Sequence, residues 1–316
     1  MTKVIGFYSN GHLNERGTST ALYDYAYYNK VLYNNISIII YDKYHIYNDS
    51  LAIKKFEQEF KCYSYDDIKD INNIIKNANI EYLYSIIYGT ITAPITDQCH
   101  ILNHAVFNIQ PHGYKYASVS KYLSKKNNSS VDYIPHMINL PICNENLRTI
   151  LNIPKNAIVF GRYGGYNQFD ITIAHKAIIE HVQKDNNSYF LFANTKVFYS
   201  HPRIIYLDKI IDLIGKVKFI NTCDAMIHAR SDGETFGLSI GEFSSKNKPV
   251  ITSISSIDNA HIDVFGADGI YYNNVFGLLW IFNNIRDIIK SRDDWNFFKE
   301  YTPENVMDKF MKVFEL

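Results

Sequence analysis

Two glutamates, Glu234 and Glu242, flank Thr235–Phe236–Gly237–Leu238 inside the run Ala225–Phe243. The run passes from an apolar stretch through a polar turn into a helix-like pattern. This order places Glu234 in the turn where the helix starts and Glu242 within the helix. A helix start leaves amide N–H groups without internal partners, and its dipole favours negative charge. Gly237 lets a ligand approach the backbone closely. The amides of Thr235, Phe236, Gly237 and Leu238 can then point at phosphate or at sugar hydroxyls. A carboxylate beside such a cradle repels phosphate. It suits hydroxyl recognition, or the positive charge that grows on a sugar carbon during group transfer. The plainer alternative keeps Glu234 as an acidic helix cap and Glu242 as a solvated helix residue.

A second candidate is Arg162, in Phe160–Gly161–Arg162–Tyr163–Gly164–Gly165. An apolar strand running into a Gly–Arg turn sets a permanent cation beside flexible backbone, which suits a diphosphate. His112, in Gln110–Pro111–His112–Gly113, follows the apolar run Ala105–Ile109. Read as a strand-end turn of a parallel sheet, it stands where such sheets bind ligands. Gly11 lies in the polar turn Ser9–His12 after the first apolar run, where it permits close approach to the backbone.

The elements that must carry these residues read as an α/β chain. Val4–Tyr8, Ile36–Tyr41, Tyr82–Tyr88, Ala105–Ile109 and Val131–Ile134 are strand candidates, with helices expected over Thr20–Leu32 and Asp66–Lys76. A second cycle starts near residue 155. Its strand candidates are Ala157–Phe160, Tyr189–Ala193, Arg203–Leu207, Ala225–His228 and Pro249–Thr252. Ile171–Val182, Val275–Ile289 and Pro303–Leu316 read as helices. Strands alternating with helices build a parallel sheet covered on both faces. The expected division is residues 1–145, residues 146–290, and a C-terminal helical segment, 291–316, packing back toward the first domain.

Bulk composition narrows the function classes. With 316 residues, 47% apolar and 20% charged, the chain can form a sizeable core and is not a disordered tract. Thirty-two basic residues balance thirty-two acidic ones, which gives no global attraction to nucleic acid or to an acidic membrane. Cys62, Cys99, Cys143 and Cys223 form no close pair, so a zinc knuckle or a dense disulfide scaffold has no support. Reduced thiols fit a cytoplasmic protein. The first apolar run is too short for a signal peptide or a membrane span, which leaves only peripheral contact with a membrane surface. The first strand is not followed by Gly-x-Gly-x-x-Gly, which argues against a dinucleotide dehydrogenase.

Glu234 and Glu242, with Phe236–Gly237–Leu238 between them, resemble the paired-glutamate motif of the group 1 nucleotide-sugar glycosyltransferases. Phe160–Gly165 and the strand Lys248–Thr252 are similar to that family as well. The resemblance implies a GT-B fold, in which two Rossmann-like domains face across a cleft and the second binds the donor. It implies a retaining, metal-independent transfer from a nucleotide sugar to a hydroxyl of a carbohydrate, glycolipid or glycoprotein acceptor, with no cofactor. By carry-over, Glu234 contacts the donor sugar and Glu242 holds the ribose hydroxyls. Arg162, with Gly164 and Gly165, meets the diphosphate, and His112 faces the sugar from the first domain. The chain departs from the family where a lysine should follow Arg162: the stretch reads Tyr166–Asn167–Gln168–Phe169–Asp170. Lys196 and Arg203 are the candidate replacements. Near Asp258–Asp263, where relatives carry a glycine-rich turn and another glutamate, His261 or Asp263 stands instead. Two other readings share these features, a nucleotide-sugar-binding protein without transfer and a sugar-nucleotide epimerase of related architecture.

Overall fold

The computed structural model describes residues 2–91 and 95–316. The chain divides into two compact units, Met1–Met137 with Glu300–Leu316, and Ile138–Lys299.

The first unit opens with β1 (Val4–Ser9), α1 (Gly17–Tyr33) and β2 (Ile36–Asp42). Next come α2 (Ser50–Glu59), β3 (Lys61–Tyr65), α3 (Asp70–Asn77) and β4 (Tyr82–Ile87). β5 (His100–Ala105), β6 (Lys115–Ser118) and α4 (Lys121–Lys126) complete the run. The six strands are parallel, in the order β3-β2-β1-β4-β5-β6. β1 is buried almost throughout, because both faces of a doubly wound sheet are covered. On one face Tyr8, Ile38, Ile40 and Leu83 pack with Ile71 and Ile75 of α3.

The second unit starts with β7 (Ile158–Tyr163), α5 (Thr172–Lys184), β8 (Ser188–Ala193) and β9 (Ile204–Leu207). α6 (Leu213–Thr222) and β10 (Ala225–His228) follow, then the two-residue strand β11 (Gly233–Glu234) and α7 (Leu238–Ser245). The unit ends with β12 (Val250–Ser253), β13 (Asp258–Asn259), α8 (Ala260–Phe265), β14 (Ile270–Tyr272) and α9 (Val275–Lys290). Its main sheet is again six-stranded and parallel, ordered β14-β12-β10-β7-β8-β9. Phe160, Phe190 and Phe282 stack between this sheet and α5 and α9. Arg148, ahead of β7, ties the lower edge together by bonds to Ala157 O and Thr222 O and a 2.7 Å ion pair with Asp224. The last helix, α10 (Pro303–Phe314), returns to the first unit and lays Phe310 against Tyr25 and Tyr84.

Several elements depart from the sequence reading, each for a local reason. The strand expected at Ala105–Ile109 is His100–Ala105. It carries two polar side chains inside the sheet: Asn103 donates to His112 O, and His104 Nδ1 lies 2.7 Å from Tyr84 OH. Those internal bonds let a polar-looking stretch act as a buried strand. β7 extends through Arg162 and Tyr163, so these residues leave the sheet itself and not a turn after it. Val131–Ile134 contributes only a single bridge, Ser118 to Tyr133. Seven asparagines, among them Asn10, Asn34 and Asn194, adopt positive φ. Part of the asparagine bias is therefore spent on left-handed turns, which asparagine tolerates better than most residues.

Candidate functional site

In a doubly wound sheet the ligand crevice opens where the strand order reverses, beyond the C-terminal ends of the two central strands. In the second unit those strands are β7 and β10. β7 ends in Arg162 and Tyr163, and β10 ends in His228, followed at once by Ala229 and Arg230. The loop after β7 is pinned to this point, since Asp170 N donates to Ala229 O and the Asp170 carboxylate accepts from Ser231 N and Oγ.

Glu234 is held on a short frame. β11 pairs with β13, setting Gly233 opposite Asp258 and Glu234 opposite Asn259. Gly233 has φ +70°, and a Cβ there would stand 1.9 Å from Asp258 O. Gly233→Ala is therefore expected to break this pairing and cost about 1–3 kcal/mol or more of stability. Urea denaturation measures it, and an unchanged midpoint would contradict the frame. The Glu234 carboxylate lies 3.3 Å from Arg230 Nη1 and 3.5 Å from His228 Nε2. Burial pushes its pKa up, but the His228 contact and the Arg230 charge outweigh that and bring it down to about 2.

Just beyond, Gly237 sits at φ +94° and precedes α7, with no side chain capping the helix. The first backbone bond of the helix runs from Gly241 N to Gly237 O, so the amides before it have no partner within the helix. Thr235 and Phe236 are buried, while Leu238 is half-buried.

Glu242 is a buried helix residue, which removes the solvated alternative. Lys216 Nζ of α6 lies 2.6 Å from Oε1, and Tyr163 OH donates to Oε2 at 2.5 Å. Burial, with Glu242 adding to it, pushes the Tyr163 phenol well above its usual range. Both partners thus face the carboxylate as donors, and each oxygen keeps a lone pair for a ligand hydroxyl.

Arg162 is nearly enclosed, at 4% exposure. Its guanidinium donates to Thr195 Oγ1, Asn194 O and Gly165 O. A Cβ on Gly164 would come within 2.8 Å of Nη2, so this glycine makes room for the arginine. Gly165 N donates to Gln168 Oε1, closing the turn where the sequence resemblance implied a lysine. Desolvation lowers the Arg162 pKa to about 10, which leaves the group charged at neutral pH. Of the two replacement cations, Arg203 donates to Val182 O and Asp185 O at the end of α5 and directly precedes β9, at the end of the strands opposite the crevice. Lys196 is exposed on the loop that follows Thr195. Arg230, ion-paired with Glu234 and Asp232, lies close enough for its charge to act on both Arg162 and Glu234.

The remaining sequence candidates lie in the first unit. Gly11 has φ +74° and packs beneath Tyr65 and Asp42, where a Cβ would stand 2.8 Å from Tyr65 OH. His112 is on the return path from β5 to β6. Its carbonyl accepts from Asn103 in the middle of β5, and its Nδ1 lies 2.7 Å from Gln110 O. It therefore flanks the strand, away from the strand-end turn that the sequence suggested. His228, Arg230, Lys216 and Tyr163 were not assigned from sequence. His228 and Arg230 lie inside the paired-glutamate run, which was their only signal; Lys216 had none.

Among the described residues, no group of three or more His, Cys, Asp or Glu side chains is gathered to hold a metal ion. No helix among them is long and apolar enough to cross a membrane.

No protein-family model matches the sequence, and neither does any curated protein. Solved structures do. A glycosyltransferase from Rickettsia africae is 16% identical, covers 99% of this chain and 98% of its own, and superposes with a TM-score of 0.70. Anabaena HepE, in complex with UDP-glucose, is 12% identical over 100% of both chains, with a TM-score of 0.74. Sucrose-phosphate synthase from Thermosynechococcus elongatus is 11% identical, covers 99% of this chain and 96% of its own, and gives 0.66. At such identities the likeness carries the architecture alone: two Rossmann-like α/β units, the GT-B fold of these glycosyltransferase structures.

Proposed function

We propose that the protein is a retaining glycosyltransferase that moves a sugar from a nucleotide diphosphate donor to an acceptor hydroxyl on a glycan, glycolipid or glycoprotein. The observation that carries this reading is the gathering of charges at the reversal point of the second sheet. A carboxylate, two guanidinium groups and an uncapped helix start stand together there, with a second carboxylate on the same helix. The UDP-glucose held by HepE, on the same fold, supports a nucleotide sugar as the ligand class.

In this reading the diphosphate lies against Arg162, Arg230 and the amides around Phe236–Gly237–Leu238, near the turn Gly164–Gly165. Two cations and a helix dipole stabilise the charge that develops on the leaving diphosphate. Glu242 accepts from the ribose hydroxyls through the lone pairs that Lys216 and Tyr163 leave open. Glu234, fully ionised, faces the sugar carbon as positive charge grows on it. His112 is assigned by the same proposal to the transferred sugar, with Nε2 as an acceptor for a sugar hydroxyl, since Nδ1–H donates to Gln110 O.

Arg230 tests the reading where it adds to the family pattern. Calorimetry with a panel of UDP- and GDP-sugars should show Arg230→Gln binding the cognate donor on the order of tenfold more weakly, the loss of one charge-assisted contact. Its affinity for the free nucleoside should stay unchanged. Equal loss for donor and nucleoside would remove the diphosphate role. Mass analysis of the products then separates a glycosylated acceptor from an epimerised donor and from binding without turnover.

A further inference from the structure

Behind Glu234 lies a buried chain of hydrogen bonds that donor binding does not use. His228 Nδ1 and Thr252 Oγ1 are 2.9 Å apart, and Thr252 Oγ1 and His261 Nε2 are also 2.9 Å apart. The parallel pairing of β10 with β12 sets His228 opposite Thr252, and α8 brings in His261. Thr252 and His261 are fully buried and His228 nearly so. Tyr272 OH donates to His228 O and fixes the backbone on which the ring sits. The other ring nitrogen, Nε2, is buried without a hydrogen bond but faces Glu234 Oε1 at 3.5 Å, whereas nothing comparable faces His261 Nδ1.

The direction of this chain follows from the proton inventory. A threonine hydroxyl has one proton to give and lone pairs to receive. The two imidazoles on either side must therefore use it in opposite senses, one donating to it and the other accepting from it. In one sense His261 Nε2–H donates to Thr252, Thr252 donates to His228 Nδ1, and His228 carries its proton on Nε2, toward Glu234. In the other sense His228 would turn a lone pair on the Glu234 carboxylate, and His261 would carry its proton on Nδ1. That nitrogen is buried and has no hydrogen-bond partner. A buried N–H without an acceptor is costlier than an unused lone pair, and a lone pair against a carboxylate is repulsive. Both ends select the first sense.

We propose that His261 and Thr252 hold the His228 ring in place, in the tautomer that presents Nε2–H to Glu234, making all three positioning residues for that carboxylate. The assignment rests on the reading of Glu234 as the group that faces the donor sugar. Its consequence is an acid whose orientation is set from behind, by groups that never touch the donor.

Long-range ¹⁵N–¹H correlation spectra of the full chain with labelled histidine read the tautomers directly. Wild type should show His228 and His261 both protonated at Nε2, and a proton on His228 Nδ1 overturns the proposal without any variant. Thr252→Val keeps the shape and removes both bonds. Glu234 still favours Nε2–H in that variant, so the tautomer should hold while the freed ring broadens the His228 ¹⁵N signals, and kcat should fall about tenfold, the value of one well-placed hydrogen bond, with the donor KM within about twofold. Thr252→Ser should restore both readouts. A valine variant with His228 signals as sharp as wild type and with wild-type kcat overturns the proposal. If that variant does not fold, His261→Gln, which keeps a donor toward Thr252, should keep the His228 tautomer, and its loss would count against the chain. Failure of the underlying reading shows separately, as wild-type turnover in Glu234→Gln. The positioning role then falls with it, even where the tautomers are as stated.

Discussion

Glu234→Gln is expected to lower turnover on the order of 10²–10³-fold, the scale seen when one preorganised electrostatic group is removed from a reacting centre. The amide keeps the shape of the side chain and can still meet His228 and Arg230, so the frame of β11 and β13 should hold. Only the charge facing the sugar carbon is lost. Donor affinity should change little, because the ground state carries no full positive charge there. Steady-state rates at saturating donor measure this, and turnover equal to wild type would end the role. The pH dependence provides a second check. The carboxyl titrates near 2, against an ordinary value of 4.5, so it stays ionised across the working range. Any acid limb of kcat near pH 5 must then come from another group. The linkage sign is equally definite. A carboxyl depressed by folding stabilises the native state above its unfolded pKa, and that contribution is lost as pH falls from about 4.5 toward 2. Glu234→Gln should flatten stability in that window.

The second large effect concerns Glu242. Loss of two ribose hydrogen bonds to a charged acceptor, each worth about 1.5 kcal/mol, amounts to about 3 kcal/mol, or roughly 100-fold in donor affinity. Glu242→Ala alone mixes this with damage to the fold, because it strands the Lys216 ammonium in a buried site. Removing one partner of a buried ion pair costs about 3–5 kcal/mol. The paired change Lys216→Met with Glu242→Leu removes both charges and fills the space. It should lose only about 1–3 kcal/mol of stability, for the Tyr163 hydroxyl left without its acceptor, while binding donor as weakly as Glu242→Ala. Calorimetry and urea denaturation, taken together, separate the two roles. Retention of full donor affinity in the paired variant would show that Glu242 serves the fold alone.

The α/β order was legible because β1, β2, β7, β8 and β10 are each built on a mostly apolar stretch, and burial on both faces of a parallel sheet imposes that pattern. β5 was misplaced because Asn103 and His104 find partners that only the folded sheet provides. β3 is an edge strand with polar alternation, and its KCYSY run gives little contrast with its surroundings. The site shows the same division. Glu234, Gly237 and Glu242 lie within one short run, so spacing alone relates them to a helix start. Lys216, twenty-six residues before Glu242, reaches it only through the packing of α6 beside α7. Arg230 was visible as a residue, but its approach to Arg162 depends on the adjacency of β7 and β10, which no local pattern encodes. His261 gave no hint of Thr252 or His228, since the chain among them is a product of sheet register.

A crystal of the protein soaked with its cognate sugar nucleotide tests the central claim most directly. The account predicts diphosphate density within hydrogen-bond reach of Arg162, Arg230 and the amides at the start of α7, with the ribose on Glu242. Density for the nucleotide elsewhere, with the α7 start covered by protein, would contradict it.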